Sequence, residues 1–236
     1  MSSQIEANYH HITERIEAAC NAAGRPTQSV RLVVVTKGHP TAAIEQVVQA
    51  GARCLGENYV EEALQKIATV REPALEWRMI GHVQSRKAAD VAVNFSACDS
   101  LDSLKLAGRL DRSAAQAGRT LPVLLECNVS SEASKFGWPA WDESLWPDLA
   151  MQLDQLVAMT NLDVGGLMTM PPFFDEPERA RPYFQRLRRL QAYLAERLPQ
   201  VKWSELSMGM SGDFEAAIQE GATLVRIGTA IMGQRS

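Results

Sequence analysis

Short apolar runs recurring between amphipathic stretches constrain this chain more than any other feature. Residues 32–35 form the first, a β-branched run bounded by Pro26 upstream and by Gly38 and Pro40 downstream. It reads as a strand buried on both faces, of the parallel-sheet type. Comparable runs follow at 53–56, 77–80, 94–98, 121–128, 162–168, 203–207 and 223–227. Segments of helical period separate them, at 41–50, 59–70, 85–93, 102–117, 145–159, 177–198 and 213–220, two of them stopped by Gly51 and Gly118. Ahead of the first strand, Ile5, Tyr9, Ile12 and Ile16 recur at helical spacing and predict an extra N-terminal helix. Eight strand–helix units without a break in composition predict an α/β fold, a single (β/α)8 TIM-type barrel spanning residues 1–236 as one domain. An open, doubly wound sheet is the alternative left by the pattern.

Charge and cysteine usage narrow the class. Lys and Arg total 24 against 28 Asp and Glu, a balance that argues against a general nucleic-acid binder. No apolar run is long enough to span a bilayer, and the first residues lack the basic and apolar regions of a signal peptide. Cys20, Cys54, Cys98 and Cys127 are scattered without metal-type pairing, as expected of reduced thiols in a cytoplasmic protein.

In such a barrel the active end lies beyond the C-terminal ends of the strands. Lys37 falls there, directly after the first strand. An ammonium beside a buried strand is costly unless it has a partner or a task, and burial favours the free amine that attacks a carbonyl to form a Schiff base. The plainer alternative is a lysine whose stem packs on the sheet while its head reaches water. Other polar clusters fall at the same level: Gly56-Glu-Asn58, Gly81-His82, residues 128–137, Met168-Thr-Met170, Ser207 to Gly212, and Gly228-Thr229. The segment Ser207-Met-Gly-Met-Ser-Gly-Asp213 offers hydroxyls, glycines and a helix start. Arg226-Ile-Gly-Thr-Ala230 adds another glycine and hydroxyl. Loops after strands seven and eight commonly seat a phosphate in these barrels, and the two together favour one here. Taken singly, each could be a turn with Asp213 as a helix cap. Arg226 could hold a structural carboxylate or equally face a ring nitrogen. Together, a Schiff-base lysine, a phosphate seat and an arginine for a ring nitrogen describe a pyridoxal 5′-phosphate (PLP) site. The arginine's permanent charge would keep that nitrogen unprotonated and weaken the cofactor as an electron sink.

Several segments resemble the pyridoxal phosphate homeostasis proteins, a family built on the barrel of the alanine racemase N-terminal domain. They are Val34-Val-Thr-Lys37, Leu55-Gly-Glu-Asn-Tyr-Val60, Ile80-Gly-His-Val-Gln-Ser85, Ser131-Glu-Ala-Ser-Lys-Phe-Gly137, Gly166-Leu-Met-Thr-Met170, Leu206 to Asp213 and Val225 to Gly233, in collinear order over nearly the whole chain. The resemblance implies PLP held as an aldimine on Lys37, with Arg226 facing the pyridine nitrogen. It places Ser207, Ser211, Gly228 and Thr229 around the phosphate and Asn58 near the ring. It also implies a cofactor carrier that takes part in PLP homeostasis and delivery, without an established turnover reaction. Gly38-His39 stands where the family often has Thr-Lys, Arg78 where it has His, and His82 where it has Pro.

Further residues carry weaker expectations. Lys135 is a candidate transient acceptor of the aldehyde, against the plainer alternative of an exposed loop lysine. Trp138, Trp141 and Trp146 are expected in the core. The arginines at 179, 181, 186, 188 and 189 are expected on a solvated helix face. His10 and His11 are expected to be exposed, while His39 and His82 fall at loop level without metal spacing. Glu57 is a candidate proton acceptor, helix cap or arginine partner. With residue 236 soon after the eighth strand, the expectation is a barrel without the second domain of racemase-like enzymes; its open mouth would favour transfer over controlled chemistry. The expected partners are PLP and apo forms of PLP-dependent enzymes, with no nucleic acid, no membrane and a monomeric state. The alternatives are a minimal PLP-dependent amino-acid racemase and a class I aldolase acting through Lys37.

Overall fold

The computed structural model describes residues 3–132 and 135–234. Ala133 and Ser134, inside the Ser131 to Gly137 segment singled out above, lie outside the described residues. The chain opens with α1 (Gln4–Ala22), capped by Ser3 and Glu6 in a reciprocal capping box. Its buried stripe of Ile12, Ile16, Ala19 and Cys20 is the expected extra helix. Then follow β1 (Arg31–Val35), α2 (Thr41–Gln49), β2 (Cys54–Glu57), α3 (Val60–Thr69), β3 (Glu76–Met79), α4 (Ala88–Asn94), β4 (Ala97–Leu101), α5 (Leu104–Gln116) and β5 (Leu121–Asn128). The second half contains β6 (Trp138–Pro139), α6 (Trp146–Val157), β7 (Leu162–Met168), α7 (Arg181–Arg197), β8 (Glu205–Ser207), α8 (Phe214–Gln219), β9 (Leu224–Ile227) and α9 (Thr229–Met232).

The staves run β4-β3-β2-β1-β9-β8-β7-β5, and a β4–β5 pairing joins the two ends of that order. That pairing rules out the open sheet and makes the fold the expected closed parallel barrel. The two-residue β6 lies outside the ring, pairing Cys127 with Trp138 at the top of β5.

Alternation between two buried faces explains why the staves are largely apolar. On β1, Val34 joins the layer under the helices with Ile44 and Val47. Its neighbour Val33 points the other way, into a small interior cluster with Cys54, Leu124, Met168 and Leu224. Buried charges share the interior with this cluster. Arg78 on β3 grips Asp99 on β4 with Nε at 3.0 and 3.1 Å and Nη2 at 2.7 Å, and both residues are buried. Arg78 is thus an interior ion-pair partner.

That pair also explains a shifted boundary. The fourth stave, expected over 94–98, occupies Ala97–Leu101, while Asn94 ends α4. Asp99 and Ser100 hide the strand in sequence, yet both are satisfied inside: Asp99 by Arg78, Ser100 by donating to the Gly81 carbonyl at 2.6 Å. Of the three tryptophans expected in the core, Trp138 and Trp146 are buried and donate to the carbonyls of Leu101 and Ala140, but Trp141 is exposed. Arg181 and Arg189 pair with acids on the solvated side of α7.

Removing one partner of a buried pair strands the other charge. Arg78→Ala should lower the unfolding free energy by about 3–5 kcal/mol, read from the urea midpoint, with the slope unchanged. An unshifted midpoint would show that the pair contributes nothing to the fold.

Candidate functional site

Strand pairing brings the two ends of the chain's chemistry together. On β1 and β9, Val33 lies opposite Arg226 and Val34 opposite Ile227. One step further up, a Cβ added to Gly228 would sit 3.3 Å from Val35 Cβ. The half-buried Lys37 therefore emerges beside Gly228 and Thr229. It shares with them, and with Asn58, Ser211 and Arg226, the wall of one cavity of about 260 Å³. Six of the seven site residues expected from sequence are brought together there. The seventh, Ser207, is fully buried and does not line the cavity; its hydroxyl accepts from Arg226 Nη1 at 2.7 Å.

Another corner of the cavity wall is shaped by the β8–α8 loop. Gly209 has φ +94°, and a Cβ there would lie 2.6 Å from Ala217 Cβ, so only glycine lets the loop fold back onto α8. Asp213 uses its carboxylate to hold Met210 N–H at 2.6 Å and makes no side-chain cap to α8. Burial raises its pKa, while the Met210 amide and Arg226 pull it down. Gly212 lines the cavity, and a Cβ there would meet no atom within 4 Å. The Ser211 hydroxyl accepts from Ala230 N–H at 3.4 Å, joining this loop to the start of α9.

Arg226 lies beneath that corner, only 3% exposed, with Nη2 donating to the Thr169 carbonyl at 2.7 Å. Burial pulls its pKa below the ordinary arginine value, and the carboxylates of Asp99, Asp213 and Glu126 push it back up. Glu126 is itself buried, and burial together with Asp102 raises it to about 7.

Asn58 reaches the cavity because Gly81 gives it room: a Cβ at Gly81 would lie 2.5 Å from the Asn58 carbonyl oxygen. Asn58 Oδ1 is buried without a hydrogen-bond partner among the described residues. Glu57, the residue before it, neither caps a helix nor pairs with an arginine among the described residues. It accepts from Lys66 Nζ at 2.7 Å and from the Thr36 hydroxyl at 2.6 Å. Burial raises the Glu57 carboxyl, and Lys66 and Thr36 oppose that rise. Lys66 escaped the sequence reading, although its i,i+4 spacing to Glu62 was visible. Met170, from the Met168-Thr-Met170 cluster, lines the cavity as well; Phe173 and Phe174 were missed, and with Met170 they form an apolar wall.

The remaining candidates lie elsewhere. Lys135 does not line the cavity; its ammonium donates to the Met170 carbonyl at 3.0 Å and pairs with Glu132. His82 bonds Asp102 at 2.9 Å and stacks on Phe136, lining a separate cleft. No group of His, Cys, Asp and Glu among the described residues could hold a metal.

Residues 7–236 match the family described as alanine racemase, N-terminal domain. The chain is 41% identical to the pyridoxal phosphate homeostasis protein of Vibrio cholerae, over 98% of this chain and 96% of that one. It is 42% identical to the Pseudomonas aeruginosa protein of the same name, over 99% and 96%. The chain belongs to this family. Among solved members, PipY of Synechococcus elongatus with PLP bound superposes at a TM-score of 0.80 and 36% identity, covering 92% of this chain and 99% of PipY. An alanine racemase from Clostridium difficile, at 15% identity and a TM-score of 0.67, shares the fold. No helix among the described residues of this pyridoxal phosphate homeostasis family member is long and apolar enough to cross a membrane.

The Glu126 carboxyl gives the site a pH signature. With its folded pKa raised to about 7 from 4.5, its stabilising contribution is complete below the unfolded value and is lost as pH rises through 7. Relative to Glu126→Gln, the wild type should lose about 2–3 kcal/mol of unfolding free energy between pH 4 and pH 8. Parallel stability profiles for the two proteins would contradict this assignment.

Proposed function

We propose that this chain binds pyridoxal 5′-phosphate at Lys37 and serves in its homeostasis, holding the cofactor reversibly and releasing it to apo-enzymes. The observation that carries this reading is the shared cavity. One amine, one hydroxyl- and amide-lined corner and one buried guanidinium converge on a space of about 260 Å³. Small-molecule sites are concave, partly apolar and equipped with a few such convergent polar groups. The likeness to a relative solved with PLP supports the same conclusion.

The residues fit the group. Lys37 would supply the amine for the aldehyde, a condensation that releases one water and that water reverses. Ser211, Gly212, Gly228 and Thr229 offer hydroxyls and close backbone approach for the phosphate. The unpartnered Asn58 Oδ1 is an acceptor suited to a ring hydroxyl. When bound, the cofactor supplies an electrophilic aldehyde and a ring able to take up electrons. Arg226, held by Ser207 and Thr169, opposes protonation of a facing pyridine nitrogen and so lowers that electron demand. Storage is favoured over turnover.

Protein mixed with PLP should turn yellow, bleach with borohydride and carry a reduced pyridoxyl label on Lys37. Lys37→Ala should lose the label while still binding pyridoxine 5′-phosphate, which lacks the aldehyde. Label elsewhere, or on Lys37 with a sugar phosphate instead of PLP, would overturn the reading, the latter in favour of an aldolase. Removing both corner hydroxyls, with Ser211→Ala and Thr229→Val, should weaken pyridoxine phosphate binding about tenfold or more by titration calorimetry. Unchanged affinity would place the phosphate elsewhere.

A further inference from the structure

Behind the cavity wall lies a charged cluster to which the carrier reading gives no role. Lys66 on α3 is 5% exposed and Glu57 is fully buried. The Lys66 ammonium donates to Glu57 Oε1 at 2.7 Å, to Glu62 Oε1 at 2.6 Å and to the Thr36 carbonyl at 2.7 Å. Three acceptors match its three N–H donors. Lys66 does not line the cavity, close as it lies to Lys37 in the fold.

What the cluster grips is the backbone on either side of Lys37. Thr36 is held twice, through its carbonyl by Lys66 and through its hydroxyl by Glu57 at 2.6 Å. Gly38 donates its amide to Glu62 Oε1 at 2.6 Å, in a left-handed turn with φ +74°. Residues 36 and 38 are thus tied to one ammonium through two carboxylates. Burying such a group is a poor source of stability, because desolvation offsets much of the attraction, whereas fixing a geometry is a use for it.

We propose that Lys66, with Glu57 and Glu62, is the positioning device that presents the Lys37 amine to an aldehyde in the cavity. This rests on the PLP reading above and deepens it. Lys66 touches no ligand; it acts through the Thr36–Gly38 backbone. Small misplacements of a reacting group cost large factors in rate, while binding of a ligand that does not react with the amine is indifferent to them.

The test compares PLP with pyridoxine 5′-phosphate in wild type, Lys66→Met and Glu62→Ala. Glu62 is 30% exposed, so its removal cuts the Gly38 tether while sparing the buried Lys66–Glu57 pair. Lys66→Met should slow formation of the PLP absorbance band about tenfold or more and leave pyridoxine phosphate affinity within about twofold. Glu62→Ala should slow it about threefold or more with the same indifference to pyridoxine phosphate, and it decides the matter if Lys66→Met does not fold. Unchanged PLP kinetics, or equal losses for both ligands, would overturn the inference, since the second pattern is that of a damaged cavity. A wild-type protein that binds pyridoxine phosphate but takes up no PLP would overturn the carrier reading itself, and the inference with it.

Discussion

Pairing of the last stave with the first is the constraint on which this structure depends. Without the β1–β9 ladder the barrel is open, and Lys37 and the Gly228–Thr229 corner stand at opposite edges of a sheet. With it, two segments from the two ends of the sequence become neighbours at the C-terminal mouth. Valines and isoleucines that pack on both faces hold the ladder in place. The register then fixes which functional groups meet, because a slip of one residue would turn Arg226 out of the interior.

Inside the ring, charge takes the place of some of the layered aliphatic packing usual for such barrels. Arg78 and Asp99 neutralise one another at the level of β3 and β4. Nearer the mouth, Arg226 faces the fields of Asp99, Asp213 and Glu126 and is fixed by two hydrogen bonds. A guanidinium held in this way is pre-organised: it needs no reorganisation when a ring arrives. The Lys66 cluster does for the first stave what Ser207 and Thr169 do for the last. Each end of the cavity thus owes its geometry to groups one layer behind its wall.

Much of this was legible in the sequence because the decisive signals are local. Apolar runs bounded by glycine and proline located the staves, and position at the strand ends singled out Lys37, Asn58, Ser211, Arg226, Gly228 and Thr229. What stayed hidden depends on distant partners. Asp99 and Ser100 masked the true fourth stave because their compensation comes from Arg78 and the Gly81 carbonyl. Ser207 reads like any loop-end hydroxyl until the strand twist turns it toward Arg226. Lys66 looks like an ordinary helix-face charge, since nothing local says that α3 packs it against Thr36 and Glu57. Phe173 and Phe174 resemble loop residues, and only the closed ring shows them beside the cavity.

A crystal structure of the protein soaked with PLP tests the central claim most directly. The account predicts continuous density from Lys37 Nζ into the ring, with Arg226 at the ring nitrogen and the phosphate between the Ser211–Gly212 turn and Gly228–Thr229. Density for the phosphate at any other corner, or a ring bound out of reach of Lys37, would contradict it.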